Sequence, residues 1–113
     1  MASRGELEQR IMELLWEADG PRSVADVHQE LRRERELAYT TVMTVLDRLA
    51  KKQLADRELV NRAWQYRAAH PRHVVAAREL KALVDALPED VRRLAIADFG
   101  AQLSDAERRL VAG

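Results

Sequence analysis

The chain has 113 residues, with 19 Lys or Arg balanced by 19 Asp or Glu, which allows one modest domain or a small domain with an appendage. It has no cysteine, so a disulfide framework and thiolate metal sites are excluded, and no apolar run of about 18 residues, so no membrane-spanning helix is expected. Aromatic residues are too few for a single-strand stacking platform, and Glu6 and Glu8 interrupt any signal-peptide shape, so a cytoplasmic protein is expected.

Ser3-Arg4-Gly5-Glu6 is a capping-box pattern. It opens a helix with the stripe Leu7, Ile11, Leu14, Leu15 and Ala18. Asp19-Gly20-Pro21 ends this helix, with Gly20 as the C′ residue. Trp16 lies at the stripe edge and reads as core or boundary packing. Ser23-Val24-Ala25-Asp26 is a second capping box, and the helix it opens sets Val24, Val27, His28 and Leu31 on one face. His28 has no companion at metal spacing and reads as a boundary residue. The mixed charges from Arg32 to Glu36 read as a solvated helix end and loop.

The organising stretch is Tyr39 to Lys52. Val42, Val45, Leu46 and Leu49 make one buried helix stripe. The opposite face carries Thr40, Thr44, Asp47 and Lys51, flanked by Met43 and Arg48. Threonine slightly disfavours a helix, so a hydroxyl-rich front is unusual for a solvent face; taken alone, the stripe fits a plain amphipathic core helix as well, and the segment after it decides between the two. Short hydroxyl side chains at the front, with Arg48, Lys51 and Lys52 behind, suit a helix whose N-terminal end enters the major groove. Thr40 is the nearest capping side chain, although a start one or two residues earlier fits equally well.

After Gln53 the period changes. Leu54–Leu59 is too charged for a buried helix, and Ala63–Ala68 alternates, with Trp64 and Tyr66 on one side. Val60-Asn61-Arg62 between them reads as a turn, making a hairpin with a basic tip. Residues 40–70 hold six Lys or Arg against three acids, whereas residues 1–39 hold six against nine. Such a local basic patch is what phosphate binding needs. Three helices and then a basic hairpin is the winged-helix order.

His70-Pro71 breaks the chain as a linker; His70 and His73 have no third ligand. A helix from about Arg72 carries Ala76, Leu80, Leu83, Val84 and Leu87 on one stripe. Pro88-Glu89-Asp90 starts another, with Pro88 at N1 and apolar positions Val91, Leu94, Ala95, Ile96 and Phe99. Ser104-Asp105-Ala106-Glu107 is a third capping box, opening a helix with Leu110 and Val111. Helices in a segment this short cannot bury their apolar faces alone, and a second copy of the chain is the simplest remedy. The expected fold is therefore mainly α with a small β-hairpin. A winged helix-turn-helix DNA-binding domain spans residues 1–70, and a helical dimerisation region spans residues 71–113.

LAYTTVMTVLDRLAKKQLADRE and then NRAWQYRAAHPR resemble the penicillinase-repressor family of bacterial winged-helix regulators, the BlaI and MecI type. The resemblance runs from Gly5-Glu6-Leu7-Glu8 to ADFGAQLSDAERRL. It implies that Thr40, Thr41, Met43 and Thr44 face bases, that Asn61 and Arg62 meet the DNA backbone, and that the C-terminal helices form a homodimer. It also implies inactivation by a membrane sensor-protease that detects β-lactams, cutting at the pair matching Asp98-Phe99, where this chain has Asp in place of the family's Asn. The copper-responsive branch uses a C-terminal cysteine cluster, which this sequence lacks. The last helix stops at Gly113, sooner than the family pattern implies.

Taken together, these readings assign DNA contacts to Tyr39, Thr40, Thr41, Met43, Thr44, Arg48, Lys51, Asn61 and Arg62. The dimer interface is assigned to Leu80, Leu83, Val84, Leu87, Val91, Leu94 and Phe99. The expected partners are duplex operator DNA, a second copy and the sensor-protease; no cofactor, metal or small-molecule ligand is indicated. A winged-helix module that docks on protein is the alternative, but a protein-docking helix more often shows Leu, Met or aromatic anchors, and Met43 is the only exposed candidate. No paired carboxylates, activated nucleophile or Gly-rich phosphate loop points to an enzyme.

Overall fold

The computed structural model describes residues 5–113. Among them are six helices and three short strands: α1 Glu6–Glu17, β1 Arg22–Ser23, α2 Val24–Leu31, α3 Tyr39–Lys51, β2 Ala55–Val60, β3 Ala63–Ala68, α4 Arg72–Asp85, α5 Glu89–Gln102 and α6 Asp105–Ala112. The chain divides into two compact units, one ending at Arg72 and the other running His73–Gly113.

In the first unit, α1, α2 and α3 share one core. Ile11, Met12 and Leu15 from α1, Val24, Val27 and Leu31 from α2, and Val42, Val45, Leu46 and Leu49 from α3 are buried, closed by Ala55 and Tyr66 from the sheet. The α3 stripe is the one its sequence spacing predicts. Met12 joins the core in addition to the predicted α1 stripe, in which Leu7 and Leu14 are only partly buried.

The sheet has the order β1-β3-β2 and is antiparallel throughout. The β2–β3 hairpin is in register from Ala55↔Ala68 to Val60↔Ala63, so Val60 is a strand residue and the turn is Asn61-Arg62 alone. Both turn residues have positive φ, 51° and 68°, the pattern of a type I′ turn, whose twist matches that of the strands it joins. β1 has no counterpart in the sequence reading; its two residues pair Arg22↔Tyr66 and Ser23↔Gln65. Two residues show no periodicity, and only β3's presence makes them a strand. Three helices with a hairpin packed beside the third make a winged helix-turn-helix.

The helix ends follow local chemistry, with three departures from expectation. Ser23 caps α2 in a full capping box with Asp26, and Ser104 caps α6 with Glu107. For α1, the predicted cap Ser3 lies outside the described residues, and the helix begins at Glu6 with Gly5 as its N-cap. Its C-terminus has no left-handed glycine: Ala18 is already extended (φ −76°, ψ 145°), which carries the chain straight towards β1. Pro88 is the N-cap of α5 and not N1; its extended ψ of 153° turns its carbonyl to accept the Arg92 N–H at 2.8 Å.

In the second unit, α5 and α6 bury none of their described residues. Asp85 of α4 takes Lys81 at 2.8 Å and Arg92 of α5 at 3.8 Å. Arg108 of α6 donates to the Gly100 and Ala101 carbonyls at the end of α5, satisfying acceptors the helix leaves over. These are polar ties between helices whose apolar faces remain largely exposed.

Candidate nucleic-acid interface

The entry to α3 is fixed from two sides. Arg10 of α1 makes a two-pronged contact with Glu34 in the turn after α2, at 2.6 and 3.0 Å, and the Glu34 carboxylate holds the guanidinium above its ordinary pKa. His28 Nε2 lies 2.7 Å from the Leu37 carbonyl oxygen, which can only accept, so Nε2 carries the proton. The same ring meets Tyr39 edge-on, with centroids 5.6 Å apart. α2 therefore sets the direction in which α3 starts.

α3 begins at Tyr39, with extended Ala38 as N-cap and no side chain capping that end. Thr40 and Thr41 consequently lie within the first turn and do not cap it. Leading backbone N–H groups without a side-chain acceptor, at the positive end of the helix dipole, favour an anion such as phosphate. Tyr39, Thr40, Thr41, Met43, Thr44, Arg48 and Lys51 are all exposed, and Met43 is 43% exposed despite its apolar chain. The buried stripe faces the core, leaving a continuous front of hydroxyl, methyl and thioether groups.

The cations behind that front are paired within the chain. Lys52 Nζ is 3.0 Å and Arg48 Nη1 3.4 Å from the Glu8 carboxylate on α1. Burial pushes the Glu8 pKa up, but Lys52 and Arg48 outweigh it and hold the carboxyl below its ordinary value. On the other flank, Asp47 takes Lys51 at 3.0 Å and Arg57 of β2 at 2.9 Å, and these bonds also lower its pKa. The Arg57 guanidinium carbon lies 4.3 Å from the Trp64 ring centroid, and its Nη1 donates to the Tyr66 hydroxyl at 3.4 Å. Trp64 and Tyr66 share a strand face as expected, yet Tyr66 enters the core while Trp64 sits farther out under Arg57.

Asn61 and Arg62 occupy the exposed tip of the hairpin. Among the described residues Arg62 makes no ion pair, whereas Arg67 reaches only a distant Glu58 at 3.9 Å. Sequence reasoning counted Arg57 in the basic 40–70 segment without giving it a contact of its own, and missed Glu8 as part of this surface altogether. The i, i+4 spacing of Asp47 and Lys51 is readable from the sequence, but Glu8 lies 44 residues from Lys52, and only folding brings them together.

The residues assigned to a dimer interface fall into two groups. Leu80, Leu83, Val91, Leu94 and Phe99 are exposed, Leu83 and Leu94 to 70% and 69%. Val84 and Leu87 are half-buried, and Leu87 lies beyond the last residue of α4, in the turn where its N–H bonds to the Val84 carbonyl. Asp98 and Phe99 lie inside α5 and are exposed.

Comparison with known proteins adds a family to this geometry. The family model described as "Penicillinase repressor" matches residues 4–112. Two proteins named "Transcriptional regulator BlaI", from Mycobacterium tuberculosis strains CDC 1551 / Oshkosh and ATCC 25618 / H37Rv, are each 42% identical over 113 residues, covering 96% of this chain and 82% of the relative.

Proposed function

The chain belongs to the penicillinase-repressor family of transcriptional regulators, which are not enzymes, and on that footing we propose that it is a homodimeric repressor binding a dyad operator in duplex DNA. Residues 1–70 are the DNA-binding part and residues 71–113 the dimerisation part. The observation that carries this reading is the uncapped, hydroxyl-rich front of α3 in a domain whose wing has an exposed tip bearing Arg62. The front of α3 enters the major groove, where Thr40, Thr41, Met43 and Thr44 meet base edges. Asn61 and Arg62 follow the backbone, joined by Arg48 and Lys51.

The exposed leucines of α4 and α5 support self-association, because two or three short helices do not keep such faces in water without a partner. A two-fold dimer supplies two reading heads, with half-site centres about 34–36 Å apart or a multiple of that. Release follows from cleavage at Asp98-Phe99 by a membrane sensor-protease responding to a β-lactam or cell-envelope signal, which separates the helices that join the two copies. The protein acts in the cytoplasm, where the operator is.

Selection of bound sequences from random duplexes, followed by footprinting, tests the operator. A dyad with two protected half-sites is expected, and protection of a single isolated half-site overturns the dimeric reading. Immunoblotting of producing cells after β-lactam exposure tests release: a shortened chain is expected, and an intact repressor beside full induction rules out proteolysis.

A further inference from the structure

We propose that Glu8 on α1 limits the affinity of this protein for DNA of any sequence, because its carboxylate competes with phosphate for Arg48 and Lys52. The inference rests on the DNA-binding reading above and adds a residue outside the recognition helix. Glu8 is held in place, with a side chain only 14% exposed, and its two oxygens take Lys52 at 3.0 and 3.2 Å and Arg48 at 3.4 Å. Its pKa lies below the ordinary glutamate value, so the group is ionised at neutral pH. Arg48 and Lys52 remain 51% and 40% exposed, so both can turn outward to a phosphate.

Two cations facing one fixed anion present one net charge. A phosphate that recruits them must weaken their bonds to Glu8, and cations already neutralised from within the protein release fewer counterions when DNA binds. Asp47 acts similarly on Lys51, but it also anchors Arg57 of the wing, so its removal mixes two effects. Glu8 makes no such second contact among the described residues. Its removal isolates the competition.

The test compares wild type with Glu8→Gln, full chain, on the selected operator duplex and on a scrambled duplex. Both affinities should rise by the same factor, and the salt slope should steepen by about 0.9 per protomer. The gain should therefore shrink about 3.5-fold per protomer, or about 12-fold for the two-fold dimer, between 50 and 200 mM salt. Glu8→Ala, which removes the carboxylate differently, should give the same slope. In a background carrying Arg48→Gln and Lys52→Gln the gain should largely vanish. Unchanged or weaker binding by both Glu8 variants overturns the proposal, as does an equal gain in the double-Gln background. If wild type binds no duplex at all, the DNA-binding reading itself fails.

Discussion

Arg57 in the wing grips Asp47 on α3 at 2.9 Å while its guanidinium lies over the Trp64 ring, so one side chain fastens the hairpin to the third helix. The wing otherwise leans on the core mainly through Tyr66 and Ala55 near its base. Replacing Arg57 by Gln should leave the three-helix core folded but loosen the outer hairpin. Hydrogen exchange should quicken across Leu59–Trp64, and duplex affinity should fall as the tip loses its fixed position. Unchanged exchange in the hairpin would show that its own turn is sufficient.

Base readout and phosphate binding should separate by residue. Thr44→Ala should relax sequence preference by on the order of 1 kcal/mol per half-site, the low end for direct readout. Arg62→Ala should weaken all sequences alike and flatten the salt slope by about 0.9 per lost contact. Competition over variant sites at two salt concentrations checks both; the assignment is wrong if Arg62→Ala alters preference while Thr44→Ala does not.

Ala38 offers an opposition between stability and binding. Ala38→Asp supplies the missing cap and should stabilise the fold by roughly 0.5–2 kcal/mol. The same carboxylate would occupy the helix end that phosphate is proposed to use, so duplex affinity should drop. Thermal unfolding and a binding titration on one sample should move in opposite directions. A tighter complex would place the DNA backbone elsewhere.

Leu83 and Leu94 are better probes of self-association than Leu87, which is half-buried within its own chain. Burying an exposed leucine contributes about 1.5–3 kcal/mol, counted twice in a two-fold dimer. Leu94→Asp should shift sedimentation to monomer at low micromolar concentration and reduce operator affinity without touching the DNA-facing surface. A persistent dimer would locate the interface on another face.

Acid should weaken the first unit in a defined window. Glu8 and Asp47 both have folded-state pKa values below their ordinary ones, so they bind protons more readily when unfolded. Their stabilisation is complete at neutral pH and is lost as pH falls below about 4. Glu8→Gln should make unfolding less sensitive to acid over that range. An identical pH profile would show that Glu8 contributes nothing to folding.

Much of this fold is readable from spacing. The stripe Val42, Val45, Leu46 and Leu49 predicts a helix with one buried face, and the Ser23 and Ser104 boxes predict helix starts, because these signals lie within a few residues of one another. Chain direction at the ends is less readable. Gly20 looks like a helix terminator, yet α1 leaves the helical path two residues earlier, because β1 must reach β3. The exposed front of α3 is likewise predictable from its threonines, whereas the pairing of its cations with Glu8 arises from helix packing and has no local signature.

The place of Trp64 gives the molecule a built-in optical gauge. There are two tryptophans: Trp64 on the outer wing beneath Arg57, and Trp16, whose indole N–H bonds to the His70 carbonyl at 2.9 Å just before α4. A Trp16→Phe chain would emit from the wing alone. Quenching or a spectral shift on adding duplex would then report engagement of the hairpin, in real time and without an attached dye.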